Sequence, residues 1–290
     1  MKVANKISKG ISLVDESLDA QRVNDYQLLL QVGFDGLACS MVDIKKNKFL
    51  ALETYTFQNS YNYQFLCENI NDIVGKHPFL AKTFNNVQAS VVNNKSTLIP
   101  NPLFEEDSKM DYVKFNFSLE NDENIAVDNL KNLEAKNLFA LSHSLENTLK
   151  KLYPSIKIIH HSTALLENLI LNFKNQPDKK IIAHIQFSHF EIIVLEGKNL
   201  LFYNSFRHQT SEDFIYYLLF VYEQLKLNPE TMELMLLGEV ERNSAIYSIL
   251  QKYIRHIKFH SRNDNFEYSY KLNSLPKHFY YNLFSQYLCV

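Results

Sequence analysis

Glycine is scarce in this chain. There are six (Gly10, Gly33, Gly36, Gly75, Gly197, Gly238) in 290 residues, about 2% against a usual ~7%. Loops that wrap phosphate in backbone amides need positions free of side chains and able to take positive φ. Neither G-x-G-x-x-G nor G-x-x-x-x-G-K-[ST] occurs, so few phosphate-loop designs can be built from this inventory. Tryptophan is absent, and arginine is outnumbered by lysine 5 to 25, leaving few planar forks for bidentate recognition of phosphate or carboxylate. The three cysteines (Cys39, Cys67, Cys289) are odd in number, far apart and without metal-ligand spacing, which points to a reducing compartment. The first residues, "MKVANKISKG", lack the apolar core of a secretory leader. The longest apolar run, "FIYYLLFVY" at 214–222, has nine residues against the ~20 needed to span a bilayer. With a net charge of −2, no bulk attraction to nucleic acid or anionic lipid is expected. The expectation is a cytoplasmic protein with no nucleic-acid partner and no membrane insertion.

What is present describes a globular protein, with 46% apolar and 21% charged residues. Its length suits two domains of roughly 100–150 residues each. From Tyr26 the text reads as a three-strand meander: Leu28 to Val32, a turn at "FDG", Leu37 to Asp43, a turn at "KKNK", then Phe49 to Phe57. A helix follows over 62–75 with Phe65, Leu66, Ile70, Ile73 and Val74 in phase, then a strand at "NNVQASVV".

Residues 180–237 repeat that order. "KIIAHIQFSHFEIIVLEGKNLLFYNSF" gives three strands, and Thr210 with Asp213 opens a helix in capping-box spacing. "MELMLLG" follows as a buried strand, then a helix at 243–254, a strand at "IKFH" and a closing helix at 276–288. With Leu28 laid on Ile181 the copies stay in register without a gap through Asp43 on Glu196, so the fold class is a duplicated α/β architecture. Between the copies the sequence predicts strands at 112–117 and 124–128, a strand–helix pair at 137–152, and a strand and helix within 155–173. "KNQPDKK" at 174–180 breaks the periodicity. The expected organisation is a tail at 1–20, a first domain at 21–175 with an insertion near 93–135, and a second domain at 176–290. The 161–173 helix is expected on the first domain.

The wording "YQLLLQVGFDGLACSMVD", followed by "LIPNPLF", resembles a Bacteroidetes family, domain of unknown function 3822. The resemblance spans roughly residues 20–290 and implies a duplicated actin-like ATPase (ribonuclease H-like) fold, each domain with a three-strand meander, a mixed central sheet and flanking helices. In active members of that superfamily each meander starts with an acidic residue beside a glycine turn, which grips phosphate and holds Mg²⁺ through water. Here Gln31, Gly33, Asp35 and Gly36 occupy the first such start. In the second copy His184 takes the acid's place and Gln186 the glycine's, with Ser188 in the turn and Glu191 near the second acidic position. His161 stands where a carboxylate would help position water, and the adenosine-side motif keeps Gly238 with Glu239 beside it. These cleft positions are the cofactor site, if there is one. A histidine cannot hold hydrated Mg²⁺ as a carboxylate does.

Other residues invite chemistry and give bland readings. The pairs His160–His161, His184 with His189, and His256 with His260 offer no evident third ligand, and the last would lie ~13 Å apart along a strand; no metal is expected. His143 between Ser142 and Ser144 reads as a helix start, and no catalytic residue is assigned. The segment "YSYKLNSLPKHFYYNLF" at 268–284 reads either as core or as a partner-binding surface. The expectation is a non-catalytic, degenerate protein (a pseudo-ATPase) without a cofactor, acting through an unidentified protein partner or as a homo-oligomer. The alternatives are a Mg-ATP-binding or hydrolysing ATPase with atypical cleft residues, and a cleft that takes a non-phosphorylated small molecule.

Overall fold

The computed structural model describes residues 6–58 and 62–288. The first meander is β2 (Tyr26–Gly33), β3 (Gly36–Asp43) and β4 (Lys48–Gln58), followed by α1 (Tyr63–Lys76) and β5 (Asn86–Val91). A three-stranded insertion sheet comprises β6 (Ser96–Pro100), β7 (Glu123–Leu130) and β8 (Ala135–Ser142), with α2 (Lys109–Lys114) between β6 and β7. Then come α3 (His143–Leu152), β9 (Lys157–His160) and α4 (His161–Phe173). The second half holds β10 (Lys179–Ile185), β11 (His189–Glu196), β12 (Asn199–Arg207), α5 (Ser211–Gln224), β13 (Leu234–Gly238), α6 (Ala245–Tyr253) and β14 (Ile257–Phe259). The chain closes with a two-residue strand at 267–268 and α7 (Tyr281–Ser285).

The two sheets share a five-stranded core of one topology, to which the first adds the strands at 6–14 and 267–268 beside β4. The first runs β4-β3-β2-β5-β9 and the second β12-β11-β10-β13-β14, antiparallel within each meander and parallel beyond it. The register agrees too: Gln31 faces Ala38 across β2–β3 as His184 faces Glu191 across β10–β11. The expected duplication is therefore present strand for strand.

Each sheet buries residues on both faces, which requires a cover on each side. Alternate residues Leu28, Leu30, Val32, Leu37, Cys39 and Met41 meet α1 and α3 on the outer face of the first sheet. The outer face of the second, including Ile181, Ala183, Ile192 and Val194, meets α5 and α6. The inner faces are covered by exchange. Leu165, Leu166, Leu169, Ile170 and Phe173 of α4 pack on Ile182, Ile193, Leu195 and Leu237 of the second sheet. Leu272, Leu283 and Phe284 return from the C-terminal end to cover Leu29, Val42, Phe49 and Leu52 of the first.

Several expectations change. The 161–173 helix lies on the second sheet because Ile182, Ile193, Leu195 and Leu237 of that sheet's inner face offer its apolar side a hydrocarbon surface to cover. The 276–288 helix shrinks to α7, since Tyr280 takes a left-handed conformation (φ 51°) just before it. Most of 268–284 is core or half-buried, with Tyr281 and Phe284 enclosed and Tyr270 exposed. The 112–117 strand is instead the end of α2 and the turn after it, where Phe115 is 91% exposed. Part of the expected N-terminal tail is a strand, β1 (Lys6–Val14), antiparallel to β4 with a register shift between Lys9 and Ser12. Cys39 and Cys67 are buried free thiols, and Cys289 lies outside the described residues. Among the described residues no helix is long and apolar enough to cross a membrane.

Candidate functional site

The two hairpin turns that open the meanders meet across the cleft between the sheets. The Ser188 hydroxyl donates to Asp35 Oδ2, joining positions that are equivalent in the two copies. The Gln31 amide donates to Gln186 Oε1 at 3.5 Å. Gly33 and Gly36 pair as the last rung of β2–β3, and Val92 N donates to Val32 O at 2.8 Å. At the third cleft element Gly238 has φ +85°, and a Cβ there would lie 2.0 Å from Ile185 O. Its amide donates to His278 O at 3.0 Å, while the Glu239 amide donates to Ile185 O at 2.7 Å. Gly238 thus serves a close backbone crossing, and both amides at this turn are already engaged.

Below these turns the second meander carries a buried imidazole–carboxylate cluster. Strand alternation puts His189 and Glu191 on one face of β11, and the antiparallel register brings His184 opposite Glu191. His184 Nδ1 lies 2.8 Å from Glu191 Oε2. His161, the first residue of α4, enters from the first-domain side and places Nδ1 3.2 Å from Glu191 Oε1. His189 Nε2 lies 3.3 Å from the same oxygen. Although these groups are enclosed, His161 Nδ1, His189 Nε2 and Glu191 Oε1 make no hydrogen bond of acceptable geometry. Among the described residues this trio can present three ligand atoms to one ion, all within 4.8 Å of one another.

The electrostatics follow from burial. Desolvation alone would raise the Glu191 carboxyl, but His161, His189 and His184 surround it and hold it well below the usual range. Burial lowers His161 to about 4 against the pull of Glu191, so its ring is neutral near pH 7. His189 is raised, because the adjacent Glu191 charge outweighs its desolvation.

A second polar network fixes His161. His160 N and Thr163 Oγ1 both donate to Asp128 Oδ2, at 2.8 and 2.6 Å. Asn137 of the insertion sheet donates to Ser162 Oγ (2.9 Å) and Thr163 Oγ1 (3.0 Å). The His160 side chain caps α4 by accepting from Ser162 N. His160 Nε2 and His161 Nε2 each lie 3.1 Å from Asn93 O, a carbonyl with two lone pairs to offer. Burial raises Asp128 to about 6 even though Thr163 and the His160 amide stabilise its charge.

Of the positions singled out from sequence, Gln31, Asp35, Gln186 and Ser188 line the cleft contact, and His161 and His184 lie in the buried cluster. Gly238 and Glu239 form the third wall. The cluster's other members were accessible to a register argument: H189-x-E191 on one strand face, directly across from His184. The contribution of His161 depends on how α4 crosses between the sheets, which periodicity does not reveal. Ser142 accepts from Leu145 N and begins α3, as its N-cap reading implies. A groove of about 490 Å³, lined by Lys9, Glu53, Tyr55, Lys76, His77 and Phe79, lies beside β1 and the end of α1, away from the cleft.

The sequence matches the model of the family described as "Protein of unknown function (DUF3822)" over residues 15–257, and the chain belongs to that family. No curated protein matches it. Its structure is similar to that of a Bacteroides thetaiotaomicron protein with actin-like ATPase fold and unknown function. The TM-score is 0.76 at 24% identity, covering 89% of this chain and 97% of the other. It also resembles a chain of the PilM-PilN type IV pilus biogenesis complex, with a TM-score of 0.58 at 11% identity over 90% and 98% of the two chains. The fold is that of the actin-like ATPases.

Proposed function

We propose that this protein is a pseudo-ATPase: an actin-like scaffold that does not hydrolyse ATP and acts by binding another protein. The observation that carries the reading is the direct contact of the two phosphate-side turns through Asp35 and Ser188. A competent site of this class needs amide donors, a metal held by carboxylates and a positioned water. At the corresponding places stand Gln31, His184 and Gln186, and His184 is committed to Glu191. These residues do not fit hydrated Mg²⁺, which takes oxygen ligands and carboxylates. Each missing element of such a site costs ~10²–10³ in rate.

Support for a protein partner comes from the surface. Tyr216 and Phe220, one turn apart on α5, are 66% and 48% exposed, and aromatic side chains are favoured anchors at interfaces. The PilM-PilN relative is a complex, so this scaffold can serve as a partner in an assembly. The test is phosphate release from Mg-ATP by purified protein. No rate above a no-protein control is expected, and turnover abolished by changing cleft residues would overturn the reading. Affinity capture with wild type against the Tyr216→Glu/Phe220→Glu variant tests the surface, and identical captured proteins would exclude it.

A further inference from the structure

We propose that His161 Nδ1, His189 Nε2 and Glu191 Oε1 bind a divalent transition-metal ion of the zinc class, which ties the start of α4 to β11. This is independent of the nucleotide reading. The spacing carries the inference. Ligands 2.0–2.1 Å from a tetrahedral ion are separated by roughly 3.3–3.4 Å; Glu191 Oε1 lies 3.2 Å from His161 Nδ1 and 3.3 Å from His189 Nε2, and the two ring nitrogens lie within 4.8 Å of each other. All three residues are buried, at 0%, 7% and 0% exposure. None of the three atoms makes a hydrogen bond outside the trio, although buried polar atoms normally find one.

The surroundings present these atoms as ligands. His161 Nε2 lies 3.1 Å from Asn93 O, a bond in which the ring donates its Nε2 proton and leaves Nδ1 as a lone pair. His184 Nδ1, 2.8 Å from Glu191 Oε2, orients the carboxylate from its other oxygen. Two imidazoles and one carboxylate suit zinc and its neighbours, whereas Mg²⁺ and Ca²⁺ prefer an all-oxygen set. Three protein donors leave one position of a tetrahedral ion for water. Because His161 begins the helix that crosses between the sheets and Glu191 belongs to the second meander, the ion would be a structural tie across the cleft.

The test uses the full chain, stripped with chelator and then given Zn²⁺ alone. One equivalent of zinc should survive dialysis, and its binding should raise the melting temperature. Glu191→Gln and His189→Gln should lose that zinc, His184→Gln should bind about 10–100-fold more weakly, and exposed His256→Gln should retain it. Because the ligand variants can misfold, Co²⁺ is added to the wild-type protein as an independent readout. An intense visible spectrum of tetrahedral Co²⁺ is expected. A weak octahedral spectrum, no retained zinc, or zinc held equally by folded Glu191→Gln and His189→Gln would overturn the proposal.

Discussion

The two meanders share a backbone and differ in what they bury. At equivalent positions the first carries Gln31, Gly36 and Ala38, and the second His184, His189 and Glu191. In the first copy Ala38 joins the apolar cover formed by the C-terminal segment. In the second, Glu191 sits within a ring of three imidazoles beneath α4. The same ladder register therefore accommodates either a hydrocarbon seam or a buried ionic one, depending on which crossing helix covers it. At the start of each meander, where the family resemblance implies an acid, the copies carry Gln31 and His184.

The largest effect should separate the copies. Glu191→Ala leaves His189 without its counter-charge, and breaking a buried ion pair from one side costs about 3–5 kcal/mol. Gln31→Ala in the first hairpin should cost less than about 1 kcal/mol. Urea denaturation of both variants checks this, and equal losses would remove the distinction. Next comes the cleft crossing: Gly238→Ala should cost about 2 kcal/mol or more, from its positive φ and the 2.0 Å approach of Ile185 O. A variant as stable as the parent would show that the crossing can relax.

Acid should expose a smaller ionic site belonging to the first sheet. Burial alone would raise Glu53, but hydrogen bonds from His77, Lys9 and Ser12 prevail and hold it at about 2, below its ordinary 4.5. A carboxyl depressed on folding stabilises the protein above its unfolded pKa, and that contribution fades as pH falls from about 4.5 towards 2. Glu53→Gln should flatten this limb of the stability profile by about 1–2 kcal/mol, after allowance for solvent screening. Unchanged steepness would mean that other carboxylates dominate it. The smallest stability change belongs to Asp35→Ala, under about 1 kcal/mol because Asp35 is exposed. Its readout is local: faster hydrogen exchange at the 33–36 and 186–189 turns, with the core strands unaffected.

Much of the fold was legible because the meanders alternate cleanly between polar turns, and because two copies in register reinforce each other. The losses were of three kinds. β1 reads as a tail because "KISKGISLV" mixes lysine, serine and glycine with its apolar residues, a composition tolerated at a sheet edge. "YVKFNF" alternates like a strand yet forms the end of α2 and the turn after it, with Phe115 facing solvent. The exchange of α4 and the C-terminal segment between sheets is a long-range matter of which hydrocarbon face lacks a cover. The site divides in the same way. Gln31, Asp35, His184, Gln186 and Ser188 follow from the hairpin pattern, while joining His161 to Glu191 requires the crossing itself.

The most direct test of the central claim is a calorimetric titration of the wild-type protein with Mg-ATP. No saturable heat is expected, because the turns that would hold the phosphates are bonded to each other through Asp35 and Ser188. Micromolar binding that disappears in Gly33→Val would contradict it, placing a working nucleotide site in the cleft.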